Sequence, residues 1–219
     1  MTRVEESFWR ERWENKQIGF HEGKPNEQLA ACWSGLDLAK GSRVLVPLAG
    51  KARDLEWLAE EGHQVVGVEL VLDAIRGYFE DRDLDLTAAK TSLGGRDAYV
   101  ADRVTLVHAD MLTVTPEELG AFDAIYDRAA LVALEPSTRA RYVAACRALL
   151  RASAPTLLIS FSYDADLSGP PWSIDEAEVR ELFSGRDVTV LDRRRGLSSA
   201  RLTAAGVPSV EETAYRVGT

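Results

Sequence analysis

The chain has 219 residues, of which 46% are hydrophobic and 28% charged, so it can bury a sizeable core and has the composition of a soluble protein. Its net charge of −9 argues against non-specific binding to nucleic acid or to an anionic membrane. The apolar runs are too short for a transmembrane helix, and the N-terminal residues contain no apolar signal-peptide core, which favours a cytoplasmic location.

Cysteine and histidine give no indication of a disulfide or of a metal site. Cys32 and Cys146 stand far apart in segments with a helical pattern, so we expect two buried, reduced thiols. His21, His63 and His108 show no ligand spacing with one another or with the cysteines. We therefore expect no bound metal ion.

The first part of the chain alternates between helical and strand patterns. Helices are predicted over 4–15, 26–34, 53–62 and 71–80, and strands over 44–47 and 64–69. The pattern weakens over 81–103, which we interpret as an insertion with a short candidate strand over 98–100.

The alternation continues to the end of the chain. Strands are predicted over 104–108, 124–126, 156–161, 188–191 and 213–217, and helices over 136–150 and 175–183. This order predicts an α/β fold, with a mostly parallel sheet that carries helices on both faces. The last two strands have no long helix between them, so we expect an antiparallel pair at the sheet edge. Because no linker or repeat interrupts the chain, we predict one domain over 1–219, made of an N-terminal helical cover (1–35) and a core (43–219).

The candidate functional residues follow the predicted strands. In an open α/β sheet, ligands bind at the carboxyl ends of the strands, near the point where the strand order reverses. The residues at these ends are Leu48, Ala49, Gly50, Glu69, Asp110, Met111, Tyr126, Asp127, Arg128, Tyr163 and Asp164. We therefore expect them to lie along one edge of the sheet.

The composition of the turn after the first strand distinguishes between possible nucleotide ligands. It has only Gly50, whereas a dinucleotide pyrophosphate requires a glycine-rich turn with several close backbone N–H groups. Glu69, which ends the second strand, can accept hydrogen bonds from both ribose hydroxyls of an adenosine ligand. Asp110 can accept from an adenine amino group, with Met111 against the ring; the alternative is a loop or helix-cap acid. S-adenosylmethionine, which contains adenosine but no phosphate, suits this set.

The N-terminal segment supports the same cofactor. Trp9 and Trp13 are separated by one helical turn and share a face, with Phe8 beside them. Aromatic faces attract a sulfonium through cation–π contact, so a helix carrying them could cover the cofactor. The alternative is a helix that packs two tryptophans into the core.

Several segments resemble the thiopurine S-methyltransferase family in its bacterial form. They are FWRERW (8–13), IGFH (18–21), RVLVPLAGK (43–51), GHQVVGVEL (62–70), YDRAALVAL (126–134) and SYD with GPPWS (162–173). The resemblance implies a class I S-adenosylmethionine-dependent methyltransferase fold, with a mostly parallel sheet of the seven-stranded type and an N-terminal helical lid. It also implies transfer of a methyl group from S-adenosyl-L-methionine to sulfur, leaving S-adenosyl-L-homocysteine. We therefore favour a methyltransferase for a small thiol, or for a selenium or tellurium compound, and we expect a monomer.

The resemblance also implies roles for individual residues. The family's cofactor contacts fall on Trp13, Leu48, Glu69 and Arg128. The N-terminal run that includes Trp9 and Arg10 and reaches Phe20 forms a cover over cofactor and substrate. Ala49 and Ala52 stand where many relatives have cysteine and serine, side chains that the chemistry does not require.

The expected mechanism is an in-line displacement that depends on alignment rather than on a strong base. Arg128 can hold the cofactor carboxylate and favour a substrate thiolate; the alternative is a salt bridge with Asp127 or Asp164. Asp164 can accept a thiol proton or simply fix its loop. Tyr163 and the loop ending at Trp172 can form an apolar wall of the substrate site, or only a stiff turn.

Two other functions stay open at this point. One is methylation of a different small nucleophile such as a halide. The other is a non-catalytic nucleotide-binding module or a dehydrogenase, which the missing glycines and the lack of a second catalytic domain disfavour.

Overall fold

The computed structural model describes residues 3–19, 21–165, 167, 169–197, 200–207 and 209–218. Its strands are β1 (Arg43–Pro47), β2 (Gln64–Glu69), β3 (Lys90–Leu93), β4 (Arg96–Ala101), β5 (Val104–His108), β6 (Ala124–Arg128), β7 (Thr156–Ser162), β8 (Asp187–Leu197) and β9 (Val210–Gly218). Its α-helices are α1 (Arg3–Glu14), α2 (Glu27–Cys32), α3 (Asp54–Glu60), α4 (Leu72–Glu80), α5 (Leu86–Ala89), α6 (Pro116–Leu119), α7 (Pro136–Ala148), α8 (Glu176–Leu182) and α9 (Ala200–Ala204). Short 3-10 turns cover Trp33–Leu36 and Leu131–Ala133.

The strands form one sheet in the order β3-β4-β5-β2-β1-β6-β7-β9-β8. The five central strands, from β5 to β7, are parallel, and the strands on either side of them are antiparallel. The seven strands from β5 to β8 reproduce the seven-stranded sheet that the resemblance implies, so the fold prediction is confirmed. The antiparallel pairing of β8 with β9 and the position of β8 at the edge are also confirmed.

The segment 81–103 contains more structure than the sequence predicted. It forms α5 and the hairpin of β3 and β4, which adds two antiparallel strands beside β5 and makes the sheet nine-stranded. Three of the four β3 side chains are exposed, so this edge strand lacks the apolar pattern by which the buried strands are recognised.

The core lies on both faces of the sheet because successive strand side chains point to opposite sides. In β1, Val44 and Val46 join a buried cluster on the face covered by α2, α3 and α4. Leu45 joins a second cluster on the face covered by α7 and α8. The prediction of helices on both faces is therefore confirmed.

Local sequence explains where the helices that flank the site begin. Asn26 caps α2, because its side chain accepts from the backbone N–H groups of Gln28 and Leu29. Pro136 occupies the first turn of α7, where its missing N–H costs nothing.

Cys32 and Cys146 are buried and free. Among the described residues, no helix combines the length and apolarity needed to cross a bilayer.

Candidate active site

A cavity of about 610 Å³ lies at the carboxyl edge of the sheet. Its wall is formed by the loop after β1, the ends of β2, β6 and β7, the adjoining parts of β8 and β9, and the N-terminal segment that includes α1. Sites for small molecules typically enclose about 300–1,000 Å³. The cavity therefore has the size and the position of a small-molecule site in an open α/β sheet.

The loop after β1 has a backbone that few residues can adopt. Leu48 and Gly50 both have positive φ, at +48° and +55°. A Cβ atom on Gly50 would lie 3.3 Å from Cζ2 of Trp13, so a side chain there would push the indole away by a few tenths of an ångström. Glycine is thus favoured at position 50 both by its backbone angle and by the close approach of α1.

Glu69 connects two loops at one end of the cavity. Its carboxylate is only 6% exposed and accepts from the Gly50 N–H and from the Val71 N–H, both at 2.8 Å. Burial raises the pKa of Glu69, and these backbone hydrogen bonds oppose the rise. Two carboxylate oxygens offer about four lone-pair sites, so acceptor capacity remains for a ligand in the cavity.

Arg128 lies at the middle of the cavity wall. It ends β6, two strands from the β2 strand of Glu69, which corresponds to roughly 10 Å across the sheet. Its side chain is 10% exposed and forms an ion pair with Glu22 of the N-terminal segment. Burial alone would lower the pKa of Arg128, but the charges of nearby acids, Glu22 first, outweigh it and raise that pKa. The next residue, Ala129, has φ +60°, a second strained backbone position at this edge.

Arg128 and the acid beside it therefore have different partners from those that the sequence suggested. Among the described residues, Arg128 forms its ion pair with Glu22 rather than with Asp127 or Asp164. Asp127 instead accepts from the Tyr142 hydroxyl at 2.7 Å and from the Leu131 N–H at 3.2 Å. Asp127 does not line the cavity, and its hydrogen bond with Tyr142 joins α7 to the sheet. Burial raises the pKa of Asp127 to about 6.

Sequence reasoning missed a second buried carboxylate on the cavity wall, Asp54 at the start of α3. It is 3% exposed and accepts from the Asn26 N–H at 2.6 Å and from the Tyr126 hydroxyl at 2.9 Å. Burial raises the pKa of Asp54, and Arg128 acts in the opposite direction. These contacts join α2, α3 and β6, so Asp54 fixes the cavity wall at the point where the N-terminal segment meets the sheet.

Sequence reasoning also missed the far end of the cavity. Phe161 of β7, Glu212 of β9 and Arg194 of β8 are neighbours across three adjacent strands, and all three line the cavity. Glu212 is 6% exposed, and its pKa is raised by burial. The last strand also contains Glu211, Thr213 and Arg216, so its local sequence did not single out Glu212.

The N-terminal segment closes one side of the cavity. Trp9, Trp13, His21 and Glu22 belong to the cavity lining. Phe8 and Trp9 meet edge to face at 5.3 Å, and the Arg12 guanidinium lies 4.2 Å from the Phe8 ring centre. Arg10 faces outward and pairs with Glu6 at 2.7 Å. Phe20 lies outside the described residues.

The structure brings eight of the sequence-predicted residues together and places six others elsewhere. Those on the cavity wall are Trp9, Trp13, Leu48, Ala49, Gly50, Glu69, Tyr126 and Arg128. Those outside the lining are Asp110, Met111, Asp127, Tyr163, Asp164 and Trp172. Asp110 accepts from the Leu112 N–H at 2.9 Å, and Met111 is packed in the core.

The loop after β7 uses its predicted site residues internally. The Tyr163 hydroxyl donates to the Pro171 carbonyl at 2.6 Å, and the backbone N–H of Trp172 donates to the Val132 carbonyl at 2.9 Å. Asp164 is exposed. The prolines at 170 and 171 reach the cavity in their place, so the loop contributes an apolar wall through different residues.

Comparison with known proteins gives relatives over nearly the whole chain. A sequence model of the family described as thiopurine S-methyltransferase matches residues 4–219. The thiopurine S-methyltransferase of Pseudomonas entomophila (strain L48) is 41% identical over 216 residues, which cover 98% of this chain and 99% of that protein. A thiopurine S-methyltransferase of Pseudomonas fluorescens (strain Pf0-1) is 39% identical over 217 residues, with 98% and 99% covered.

The fold is also similar to that of solved structures. The crystal structure of Burkholderia thailandensis 1,6-didemethyltoxoflavin-N1-methyltransferase, with bound 1,6-didemethyltoxoflavin and S-adenosylhomocysteine, has a TM-score of 0.66. The match is 20% identical and covers 98% of this chain and 87% of that one. At this identity the similarity shows a shared fold.

Proposed function

This chain belongs to the thiopurine S-methyltransferase family and is an S-adenosyl-L-methionine-dependent methyltransferase, and we propose that it methylates a small thiol on sulfur. The observation that carries the proposal is that Glu69, Arg128 and the Phe161 ring line the same cavity. We expect a monomer that acts in the cytoplasm, and the net charge of −9 supports small-molecule over nucleic-acid substrates.

The residues present fit the cofactor. We propose that Glu69 accepts from the ribose hydroxyls through the lone pairs that Gly50 and Val71 leave available. Gly50 adds no side chain to the cavity, Leu48 forms part of its lining, and Trp13 packs beside Gly50. The contact between Trp13 and Gly50 also puts an aromatic face where a sulfonium would be attracted.

The chain's own groups then have a limited task. The bound cofactor supplies an electrophilic methyl group on a sulfonium. The protein must align a nucleophilic sulfur with that methyl group and exclude water, which the N-terminal segment does by covering the cavity. Arg128, buried among acids but cationic, favours the thiolate form of a nearby thiol. Asp164 is exposed, which supports a loop-fixing role for it over proton transfer.

A substrate screen with methyl-labelled S-adenosyl-L-methionine tests the proposal. The panel contains aromatic thiols, aliphatic thiols, selenite, tellurite and halides. We expect the highest kcat/KM for aromatic or heterocyclic thiols, because Phe161, Pro170 and Pro171 give the cavity lining flat apolar surface. Transfer to halide alone would instead favour a halide methyltransferase.

A further inference from the structure

Glu212 is a buried carboxylate to which the proposed cofactor contacts give no role. It lies on β9, four strands from the β2 strand of Glu69, so roughly 19 Å of sheet edge separates the two acids. Arg128, on β6, lies midway between them. If Glu69 holds the ribose, the part of the cavity near Glu212 is left for the methyl acceptor. The inference therefore rests on the proposed function.

Alternation along β9 aims Glu212 into the cavity. Val210 and Glu212 line the cavity, whereas Glu211 between them points to the opposite face. There Glu211 forms ion pairs with Arg193 at 3.4 Å and with Arg195. The two adjacent glutamates thus have the same chemistry and opposite environments.

The surroundings of Glu212 are those of a recognition site for a flat, polar-edged molecule. Phe161, its partner on β7, offers a ring, and Val210 and Leu202 add apolar surface. The Asn26 side chain forms a hydrogen bond with Glu212 and lowers its pKa, and Arg128 and Arg194 act in the same direction. Asp54 differs in position, because its contacts with the Asn26 N–H and the Tyr126 hydroxyl hold it where α2, α3 and β6 meet, away from the Phe161 ring.

We propose that Glu212 is a catalytic, specificity-determining residue that accepts the proton-bearing group of the methyl acceptor, a ring N–H beside a thiocarbonyl. A heterocyclic thiol in its thione form carries its proton on the ring nitrogen. As the new S–CH₃ bond forms, the donor's C–S bond breaks and its electron pair stays on the donor sulfur. The ring N–H proton passes to the Glu212 carboxylate, its bonding pair stays in the ring, and the proton is later released to water.

Burial supports this role in two ways. A carboxylate that is 6% exposed makes stronger hydrogen bonds than one in water. Removing it should therefore weaken the binding of ligands that carry a hydrogen-bond donor more than that of ligands without one. Burial also raises the pKa of Glu212, which makes it a better proton acceptor than an exposed glutamate.

The test compares Glu212→Gln with Glu211→Gln, the matched control on the opposite face. The two acceptors are 2-mercaptopyridine, which presents a ring N–H, and thiophenol, which has none. Steady-state kinetics gives kcat and KM for each, and calorimetry gives the affinity of each thiol for protein saturated with S-adenosylhomocysteine. Affinity for S-adenosylhomocysteine itself checks that each variant is folded.

We expect Glu212→Gln to lower kcat/KM for 2-mercaptopyridine at least tenfold, mainly through kcat, and to change thiophenol less than threefold. Glu211→Gln should change neither by more than twofold. If Glu212→Gln does not fold, Glu212→Asp replaces it in the test. Its shorter side chain keeps the charge but moves the carboxylate away from the acceptor, so kcat/KM should again fall more for 2-mercaptopyridine than for thiophenol. Equal losses for both thiols would overturn the inference and leave Glu212 as a charge partner of Arg128.

Failure of the proposed function looks different. Wild-type protein that binds S-adenosylhomocysteine but methylates neither thiol would overturn thiol methylation. The inference would then be decided by calorimetry, where a selective loss of 2-mercaptopyridine affinity in Glu212→Gln supports it and a non-selective loss overturns it.

Discussion

Replacing Glu69 with glutamine tests the cofactor site because one carboxylate serves two loops and, by our proposal, a ligand. Glutamine keeps the shape but has one acceptor oxygen, so the Gly50 and Val71 N–H groups cannot both stay paired. A buried donor left unpaired costs about 1–3 kcal/mol. For a chain of this size, 1 kcal/mol corresponds to roughly 2–4 °C in Tm, so we expect Tm to fall by roughly 2–12 °C.

The same substitution removes charge-assisted hydrogen bonds to the ribose. Each is worth about 1.5–3 kcal/mol, so the Kd for S-adenosylhomocysteine should rise about tenfold or more. Part of this rise will come from the disturbed Gly50 loop and is independent of the ribose. A comparison of two proteins with two ligands, natural S-adenosylhomocysteine and its 2′,3′-dideoxy analogue, isolates the ribose part.

Calorimetry should show that Glu69→Gln weakens the natural ligand by at least tenfold more than it weakens the dideoxy analogue. The KM for the thiol should change little, because the thiol binds at the other end of the cavity. If both ligands weaken equally, Glu69 only fixes the two loops and the ribose assignment is wrong.

Three further predictions follow from other parts of the structure. Arg128→Lys keeps the charge among the acids but loses the guanidinium geometry, so kcat/KM for thiols should fall at least tenfold. The control Glu22→Gln removes only the ion pair with Arg128 and should lower kcat/KM less than threefold. Equal effects would reduce Arg128 to a structural role. Hydrogen exchange in residues 8–19 should slow when S-adenosylhomocysteine binds, and unchanged exchange would contradict a covering role. Asp127 has a folded-state pKa of about 6, raised by burial, so its neutral form stabilises the fold at low pH and that stability is lost as pH rises through about 6. In urea unfolding, the free energy of unfolding of Asp127→Asn should therefore rise relative to that of the wild type by up to about 3 kcal/mol between pH 4 and pH 8. A difference between the two proteins that does not change with pH would refute the raised pKa.

The central sheet was predictable because its strands are buried on both faces and read as short apolar runs. Strands β2 and β5 were predicted with the bounds that the structure has. The hairpin of β3 and β4 was not, because its outer strand is polar and exposed and is held by pairing with β4 rather than by burial. Edge strands of this kind depend on tertiary contacts that the local sequence does not encode.

The candidate site divides in the same way. Gly50, Glu69 and Arg128 were found because they directly follow or end parallel strands, where a general rule places ligands. Glu212 lies on β9, which runs opposite to the parallel strands, so that rule does not select it. Arg194 lies on β8, which extends to Leu197 and so beyond the predicted strand over 188–191. Met111 satisfied the rule but turned into the core, since an apolar side chain just past a strand end can pack inward.

The central claim is that the methyl group is transferred to sulfur, and the product of a single reaction tests it most directly. Wild-type protein is incubated with ¹³C-methyl S-adenosyl-L-methionine and 2-mercaptopyridine, which offers a sulfur and a ring nitrogen side by side. The position of the labelled methyl group is then read by ¹³C NMR. The account predicts 2-(methylsulfanyl)pyridine, and formation of 1-methylpyridine-2-thione, or no labelled product, would contradict it.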